Sequence, residues 1–563
     1  MTAGKRGNTL VLLGYVVVAF GYFGVRLLPH PGRPILGYGR DPQIFIWAFA
    51  WWPHAIETGQ NPIVSHAIYA PHGIDLAWAT TVPAISLAFT PITLLFGPTA
   101  SFNVASMLLP ALAAWTAFLL CRQVTRSTLA SIVGGYLFGF SSYMLGQEQG
   151  HMHMTAVFLV PLVPLVVIRY LRSELDGRGL AWRLGLLIGL QLWISTEILA
   201  TMLFSLAVGL VLAYWLLPAT RERIRSLARP LGGAAAISIV VSSPLLYYLV
   251  TDFQSDSINA VPSNFDGDVM NFLLPTHLIA IGGDRFSSIA LHFRGDQAEQ
   301  GAYLGLPTLA IVAWSIKDAR RSAGARFLLA ATGLAALVTL GTAVVWRGHT
   351  KAWLPWSLVA RLPVFDNILP ARFAAYMALG AAVLVSVWIS SRRGFIRWLL
   401  PLLAIAALVP ALWRPDYVSH PERWPFFTQG IYKICFPKGQ NVAIFPFGSQ
   451  GNSTLWQAET NFWFRMPEGY LAPDPPPASL ADPVVKELTY TNDIITPAQV
   501  LQLARLEKVD RILSVDIYTH PDGTQMHRFG AVQDMGGVLI SPGCGYPSLQ
   551  KGVHPTPPHP PKN

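Results

Sequence analysis

The chain has 563 residues, of which 52% are hydrophobic and only 12% are charged. Soluble proteins carry about 25% charged residues, so this composition excludes an ordinary soluble enzyme and indicates a multi-pass α-helical membrane protein. The net charge of +10 fits the enrichment of Lys and Arg on the cytoplasmic side of membrane proteins, and no nucleic-acid-binding motif accompanies it.

The N-terminal 28 residues combine a basic start with an apolar stretch of membrane-spanning length. No small-residue cleavage site precedes a polar segment, so we expect a retained helix and not a signal peptide. Ten further apolar runs begin near residues 101, 129, 153, 181, 198, 230, 302, 327, 368 and 398. Basic residues occupy every second connection, which predicts about 11 transmembrane helices with the N-terminus in the cytoplasm.

The first outer loop, residues 28–100, contains the stretch GRDPQIFIWAFAWW, in which Asp41 is followed by Pro42. The proline restricts the backbone and orients the carboxylate. The aromatic run after it is typical of an in-plane helix at the membrane interface. Partial desolvation raises the basicity of a carboxylate, so Asp41 is a candidate general base. The alternative is that Asp41 only caps the helix.

Two other parts of this loop are informative. The segment VPAISLAFTPITLLFG, residues 82–97, is apolar but short and contains two prolines, so we expect in-plane helices there and not a crossing. His72, in YAPHGIDL, either closes over a bound substrate or lies in a polar turn.

Two short outer connections carry polar residues between apolar helices. The stretch GQEQGHMHM contains Glu148, His151 and His153. Two histidines two residues apart are a weak metal signature, so contacts to a substrate are favoured, with a divalent metal as the open alternative. Glu197, in STEI, is costly beside lipid without a partner, so we expect it to face a cavity.

The large outer loop, residues 251–301, contains Asp266 and Asp268. It lacks the spaced carboxylates and terminal Glu of an EF-hand, so a substrate-covering loop is the better interpretation. Glu299 and Tyr303, just before the next apolar run, are expected to line the same cavity.

After a transmembrane domain at 1–413, the sequence changes character. NVAIFPFG and DRILSVDIY alternate like strands, and TPAQVLQLARLEKV between them has helical spacing. These patterns predict a small α/β extracytoplasmic domain at 414–540, followed by a Pro-rich disordered tail at 541–563. Cys435 and Cys544 fall in this exported part, where an oxidising compartment would permit a disulfide.

In layout, residues 9–300 resemble the GT-C superfamily of integral-membrane glycosyltransferases. An acidic residue follows the first crossing, and in-plane helices and a seven-helix module come after it. The fragments similar to bacterial members are GRDPQIFIWAFAWW, ETGQNPIVSHAIYAPHGIDL, FTPITLLFGPTASFN, GHMHM and LPARF. The resemblance implies a bacterial inner-membrane enzyme that moves a sugar from a polyprenyl-phosphate-linked donor to a periplasmic acceptor. That acceptor would be a cell-envelope glycan, a lipid or a protein.

The resemblance also implies roles for individual residues. Asp41 would deprotonate an acceptor hydroxyl as that oxygen attacks the anomeric carbon. Arg372, after the Pro turn in NILPARF, would bind two oxygens of the leaving phosphate, unless it is an interfacial arginine that reaches to the headgroups; Arg285 and Arg294 are weaker candidates for the same role. The other expected substrate contacts are His72, Glu148, His151, His153, Glu197 and Tyr303. Asp41 has no acidic neighbour, so no metal ligand is assigned, and a divalent metal stays open as a cofactor.

Two other functions stay open. One is a transporter or flippase of lipid-linked saccharides, in which polar residues line a path. Transporters often contain two related halves with matching broken helices, and this sequence shows no such repeat. The other is a non-catalytic membrane scaffold whose exported domain binds partners.

Overall fold

The computed structural model describes residues 2–251, 261–362, 365–421, 423–471, 475–490, 496–514, 518–519 and 525–526. The chain forms two compact units. The first comprises Met1–Val64, Asp75–Pro421 and Leu471–Asp474, and the second comprises Ser65–Ile74, Glu422–Tyr470 and Pro475–Asn563. The predicted tail at 541–563 and Cys544 lie outside the described residues, so the Cys435–Cys544 disulfide stays a prediction.

The first unit is predominantly helical. Its helices are α1 (Thr2–Ala19), α2 (Asp41–Glu57), α3 (Pro83–Ala88), α4 (Thr90–Phe96), α5 (Pro98–Thr125), α6 (Thr128–Gly139), α7 (Ser142–Gln147), α8 (Met152–Thr155), α9 (Leu162–Leu171), α10 (Gly177–Leu192), α11 (Thr196–Leu216), α12 (Arg221–Arg225), α13 (Ala228–Thr251), α14 (Ser287–Ala290), α15 (Leu306–Ala319), α16 (Ala323–Thr339), α17 (Trp356–Val359), α18 (Ala374–Ser391) and α19 (Ile396–Ala406).

The strands are short and pair two by two. They are β1 (Ile35–Leu36), β2 (Val64–Ser65), β3 (Ile74–Asp75), β4 (Ala343–Trp346), β5 (His349–Trp353), β6 (Val418–Ser419), β7 (Val442–Phe445), β8 (Arg511–Ser514), β9 (Tyr518–Thr519) and β10 (Gln525–Met526). The pairs are β1 with β6, β2 with β3, β4 with β5, β7 with β8 and β9 with β10.

The prediction of a multi-pass helical membrane protein is confirmed. Within the described residues, six helices are long and apolar enough to cross a membrane: Arg6–Leu27, Pro98–Thr125, Thr128–Gln147, Thr196–Leu216, Ala228–Thr251 and Pro370–Ser391. The other apolar runs of the sequence coincide with the shorter helices α9, α10, α15, α16 and α19. The number of crossings stays a prediction.

Glycines allow the long helices of the first unit to pack closely. Helix α6 contacts α5 and α18, and α10 contacts α13. A Cβ atom added at Gly135 would lie 2.5 Å from the carbonyl oxygen of Ala114, and one at Gly139 would lie 2.5 Å from that of Pro110. Small residues at such positions let helix backbones approach each other, which is typical of membrane helix pairs.

The aromatic helix α2 is buried within the protein, and its position in the plane of the membrane stays a prediction. Trp47, Trp51 and Trp52 are at most 2% exposed, and almost every residue from Pro42 to Ala55 is buried. A helix that is hydrophobic on all sides is buried within a protein, because no face of it suits water. The segment 82–97 is divided into α3 and α4, each much shorter than the roughly 20 residues that a crossing requires.

The buried amide of Asn103 anchors the start of the first loop to α5. Its Oδ1 accepts a hydrogen bond from the Leu36 backbone N–H at 2.9 Å. Its Nδ2 donates to the carbonyl oxygens of Pro31 and Pro34 at 3.2 and 2.8 Å. Since β1 lies only a few residues before Asp41, this amide fixes the position of the segment that leads to Asp41.

Asn103→Leu is expected to destabilise the protein by about 1–3 kcal/mol, because buried main-chain groups would lose their partners. Thermal unfolding of the purified protein in detergent measures this change. Gln123→Leu, on the same helix, is the control, because Gln123 makes an exposed hydrogen bond to Glu174. Equal midpoints for Asn103→Leu and the wild type would contradict the anchoring role.

The second unit contains a parallel strand pair with helices against it. The pair is β7 and β8, aligned from Val442 with Arg511 to Phe445 with Ser514. Its helices are α20 (Pro425–Thr428), α21 (Tyr432–Cys435), α22 (Ser453–Glu459), α23 (Pro477–Leu480), α24 (Pro483–Tyr490) and α25 (Pro497–Leu506). The core cluster consists of Ala443, Phe445, Phe447, Val484, Val485, Leu488, Val500, Leu503 and Ile512.

A decapeptide from the first loop, Ser65–Ile74, is part of this second unit. Ala70 N–H donates to the carbonyl oxygen of Met466, and Met466 N–H donates to that of Ala67, both at 2.9 Å. Asn441 Nδ2 contacts the carbonyl oxygens of Ala70 and Glu507 at 3.4 and 2.8 Å. The decapeptide is therefore joined to segments that come several hundred residues later in the chain.

Candidate active site

Two close backbone contacts bring Asp41, the first residue of α2, to the turn after α7. Gly37 has φ +98°, and a Cβ there would lie 2.6 Å from the carbonyl oxygen of Gln149. Gly150 has φ +147°, and a Cβ there would lie 2.9 Å from Pro42 Cδ. Because only glycine fits such conformations at this distance, these two positions set how closely the loop approaches the turn.

Asp41 and His151 form a direct pair. The Oδ2 atom of Asp41 lies 2.7 Å from Nε2 of His151; the imidazole is largely buried and the carboxyl is half-buried. On the other side of the imidazole, Nδ1 lies 2.9 Å from Gln147 Oε1 and 3.9 Å from Glu299 Oε1. Gln147 Nε2 donates to Glu299 Oε2 at 3.2 Å and to the Ala298 carbonyl oxygen at 3.0 Å.

Glu299 is placed by tight packing of its segment on α7. A Cβ at Gly146 would lie 2.5 Å from the carbonyl oxygen of Ala298, and one at Gly301 would lie 2.6 Å from Tyr143 Cα. The segment before α15 therefore lies directly against the helix that carries Gln147.

Arg372 connects Glu299 to Glu197. Its Nε and Nη2 atoms lie 2.9 and 2.7 Å from Glu299 Oε1, and its Nη1 donates to Glu197 Oε2. Arg372 lies in the turn that precedes α18, and Glu197 lies in the first turn of α11. We call Asp41, His151, Glu299, Arg372 and Glu197 the charged chain.

The electrostatics of the charged chain favour alternating charges. Burial opposes protonation of His151, but the hydrogen bond to Asp41 and the negative charges of Asp41 and Glu299 raise its pKa above the ordinary value. Burial alone would raise the pKa of Glu299, yet the charge of Arg372 and its hydrogen bonds lower it. The imidazole is therefore stabilised as a cation between two carboxylates.

A raised pKa of His151 in the folded state predicts a pH-dependent stability. The contribution is fully present below the unfolded value of about 6.5 and is lost as the pH rises through the raised folded value. We therefore expect the unfolding midpoint of the wild type to fall across that window. His151→Gln should remove this dependence, whereas His349→Gln, at an exposed position of β5, should keep it. A His151→Gln protein with the wild-type pH profile would contradict the assignment.

Glu148 and His153 adjoin the charged chain, and the His153 ring lies edge to face with the His151 ring, with centroids 6.1 Å apart. Both carboxyl oxygens of Glu148 are buried with no hydrogen-bond partner among the described residues, and burial raises its pKa well above the usual range. The His153 ring stacks on Phe45, with centroids 5.6 Å apart. Burial and the charges of Arg372 and His151 lower its pKa. Burial therefore favours the neutral form of both side chains.

Tyr303 and His72 are not part of the charged chain. Tyr303 is buried before α15, and burial raises its pKa. His72 belongs to the second unit, where its Nε2 lies 3.5 Å from Oε2 of Glu507. Burial and the nearby Asp482 raise the pKa of Glu507 to about 7. The described contacts thus bring together Asp41, His151, Glu197 and Arg372 from the predicted set, with His153 against the ring of His151.

Asp266 and Asp268 of the large loop bind protein groups. Asp266 accepts hydrogen bonds from the N–H and Oγ1 of Thr342 at 2.7 and 2.6 Å and pairs with Arg294 at 3.5 Å. Asp268 Oδ2 accepts from the Gly348 N–H at 2.8 Å. Among the residues described, no group of three or more His, Cys, Asp and Glu side chains is arranged to hold a metal ion.

An apolar cavity of about 270 Å³ lies among the spanning helices, one helical turn from Arg372. Its walls come from α5, α9, α11, α16 and α18 and include Met202, Phe373 and Tyr376. At this end of the cavity, the Tyr376 hydroxyl lies 2.8 Å from Thr201 Oγ1. Thr201 follows Glu197 by four residues, so the cavity reaches the end of the charged chain.

Sequence reasoning missed Gln147 and gave Glu299 only a position at the cavity wall. Gln147 carries no pattern that distinguishes it from other polar residues near helix ends. Glu299 had one usable signal, a carboxylate directly before an apolar helix, where an unpaired charge is costly. The pairing of Glu299 with Arg372 depends on the tertiary fold.

Comparison with known proteins gives one family match and several structural matches. A family model described as "Domain of unknown function (DUF6311)" matches residues 11–412. No curated protein sequence matches the chain.

The structural matches are membrane glycosyltransferases. Archaeal oligosaccharyltransferase AglB from Archaeoglobus fulgidus, in complex with an inhibitory peptide and a dolichol-phosphate, has a TM-score of 0.52 and 13% identity; the match covers 94% of this chain and 74% of that chain. Arabinofuranosyltransferase AftD from Mycobacteria has a TM-score of 0.54 and 14% identity; the match covers 91% of this chain and 35% of that chain. At these identities the likeness shows the fold, and it confirms the predicted GT-C architecture.

Proposed function

This chain belongs to the DUF6311 family and has a GT-C fold, and from that premise we propose that it is a membrane glycosyltransferase. It moves a sugar from a polyprenyl-phosphate-linked donor to an extracytoplasmic glycan, lipid or protein acceptor. The observation that carries the proposal is the Asp41–His151 pair, held at 2.7 Å at one end of a charged chain. The match to AglB solved with a dolichol-phosphate supports a lipid-phosphate donor.

The distribution of charge supports an extracytoplasmic site. Glu197 and Arg372 lie at the starts of α11 and α18, whereas Arg221 and Arg392 follow the opposite ends of the same helices. Basic residues accumulate on the cytoplasmic side of membrane proteins. From this distribution we infer, as part of the proposal, that the charged chain lies at the outer face of a bacterial inner membrane and the N-terminus in the cytoplasm.

In the proposed reaction, Asp41 takes the proton from an acceptor hydroxyl. The oxygen attacks the anomeric carbon of the donor sugar, the bond from that carbon to the phosphate oxygen breaks, and its electron pair leaves with the polyprenyl phosphate. Asp41 accepts the acceptor's proton as the new bond forms, and the polyprenyl phosphate leaves as an anion, so the leaving group needs no proton from a second residue. The Asp41 carboxyl is 32% exposed, so its proton can return to solvent.

We assign Arg372 a positioning role in this proposal. Its charge is already compensated by Glu299 and Glu197, so it orients Glu299, and Glu299 with Gln147 holds the imidazole of His151. Binding of the donor phosphate by Arg372 stays a prediction. The apolar cavity next to Phe373 and Tyr376 suits part of a polyprenyl tail, because it offers hydrocarbon walls close to the charged chain.

The decisive experiment separates transfer from transport. The purified full chain is reconstituted in liposomes with radiolabelled polyprenyl-phosphate sugars and a mixture of cell-envelope acceptors. We expect the sugar to leave the lipid and free polyprenyl phosphate to accumulate. Movement of the intact lipid-linked sugar across the bilayer, measured by its accessibility to a membrane-impermeant oxidant, would instead identify a flippase. If neither sugar transfer nor lipid movement is observed, only the scaffold hypothesis is left.

A further inference from the structure

A second cavity, of about 490 Å³, lies between the segment 76–83 and the ends of α10, α11 and α13. Its volume falls within the roughly 300–1,000 Å³ that is usual for small-molecule sites. Its polar walls are formed by Trp78, Thr80, Thr81, Ser195 and Thr196. Thr196 directly precedes Glu197, so this cavity adjoins the charged chain at the end opposite to Asp41.

The hydroxyl of Thr81 is the clearest sign of a missing ligand. The side chain is fully buried, and its Oγ1 has no hydrogen-bond partner among the described residues. The main chain of Thr81 is satisfied, because its N–H donates to Ala79 and its carbonyl oxygen accepts from Ser86 Oγ. A buried hydroxyl without a partner costs free energy. Thr81 lines the cavity, and a small shift of its side chain would let a ligand hydroxyl reach Oγ1 and remove that cost.

The backbone beside Thr81 is in an unusual conformation. Val82 has φ +40° and ψ 55°, a left-handed conformation that is costly for a β-branched residue. Backbone hydrogen bonds hold this conformation. The carbonyl oxygen of Val82 accepts from the N–H groups of Ile85 and Ser86, and the Ala84 N–H donates to the carbonyl oxygen of Trp193. Strain that the surroundings maintain is a feature of ligand sites.

The chemistry of the walls defines the class of ligand. Among the described residues that line the cavity there is no Asp, Glu, Lys, Arg or His. A phosphate or a uronic acid would therefore be bound without a countercharge, at a high desolvation cost. Hydroxyl groups, an indole and aliphatic walls together suit a ligand with many hydroxyls and an apolar ring face.

We propose that this cavity binds a neutral glycosyl unit of one of the two substrates. This inference rests on the proposed function and names the chemistry of its sugar: uncharged, with hydroxyls directed at Thr81 and at Ser195 or Thr196. The donor sugar and the acceptor glycan share this chemistry, and the experiment distinguishes them.

Binding is measured with the full chain in nanodiscs by saturation-transfer NMR. The probes are methyl glycosides of neutral hexoses and pentoses, with a methyl glucuronide as the charged probe and an uncharged tetrapeptide as the peptide probe. We expect the neutral glycosides to bind and Thr81→Val to raise their Kd about 3- to 10-fold, the effect of one hydrogen bond. Thr81→Ser should bind like the wild type, and Ala79→Trp, which fills the cavity, should abolish binding.

Thr308→Val is the matched control, because Thr308 is also a buried threonine whose Oγ1 has no partner among the described residues, but it lies in α15. It should leave the Kd unchanged. Absence of binding by every neutral glycoside would overturn the proposal. So would equal or tighter binding of the glucuronide or the peptide, or binding that Thr81→Val and Ala79→Trp do not alter.

Two further measurements keep this inference separate from the proposed reaction. Glycoside binding by the wild type without any sugar transfer would reject the proposed reaction and retain the cavity. Asp41→Asn, which should lose transfer, should still bind the glycosides like the wild type. In the transfer assay, Thr81→Val raises KM for the acceptor if the cavity binds the acceptor glycan. It raises KM for the lipid-linked sugar if the cavity binds the donor.

Discussion

Asp41→Asn is expected to lower sugar transfer by at least about 100-fold, the lower end of what a general base contributes. The amide has almost the same shape as the carboxyl and can still accept a hydrogen bond from His151, so the fold and the loop contacts of Gly37 and Gly150 should be kept. It cannot take a proton from an acceptor hydroxyl. Initial rates of transfer in proteoliposomes at saturating donor measure the loss.

Asp284→Asn provides the control for this substitution. Asp284 also begins a helical turn and pairs with an arginine, Arg414, at 3.0 Å, but it is 57% exposed, and exposed ion pairs contribute little. Its transfer rate should equal that of the wild type. If Asp41→Asn unfolds at the wild-type temperature and retains transfer within a few-fold of the wild type, Asp41 is not the base.

Arg372→Met is expected to cause the largest loss of stability in the first unit, about 3–5 kcal/mol. Glu299, only 2% exposed, and Glu197 would lose the guanidinium that lies between them. Glu299 would keep Gln147 and the more distant His151, but two buried carboxylates without the cation that they share cannot both stay ionised. We therefore expect disturbed packing around α18 and a changed orientation of His151. Thermal unfolding in detergent measures the first effect, and the transfer assay measures the second.

Arg392→Met tests whether this loss is specific. Arg392 pairs with Asp318 at 2.6 Å at the other end of α18, and both partners are more exposed, at 28% and 37%. We expect a change of about 1 kcal/mol or less. Equal losses of stability in Arg372→Met and Arg392→Met would show that burial does not make the ion pairs of the charged chain more important for stability. Retention of full stability by Arg372→Met would contradict the buried ion pairs themselves.

Most of the helical framework could be predicted from the sequence, because long apolar runs have few other solutions in a membrane. The burial of α2 could not, since an aromatic run suits both the interface and the interior. Helix α2 is buried because other segments of the first unit pack on every side of it, and those contacts are made by residues far away in the chain.

Individual residues of the candidate site could be predicted from the sequence, but the way in which they contact each other could not. Asp41, His151, Glu197 and Arg372 each stand out as a polar group beside an apolar helix. Their connection depends on Glu299 and Gln147 and on the close approaches at Gly37, Gly146 and Gly150, which no local pattern reveals. The location of His72 in the second unit was equally hidden, because it follows from pairing of its segment with residues near 441 and 466.

The inclusion of Ser65–Ile74 in the second unit constrains how the protein is made. During synthesis the decapeptide is translated more than 340 residues before the rest of that unit, so it waits without its backbone partners while the helices insert. The second unit is thus the last part to be completed. A gene fragment that starts at residue 422 encodes it without an integral strand-like element, so separate expression of that fragment should yield an unstable product unless the decapeptide is supplied.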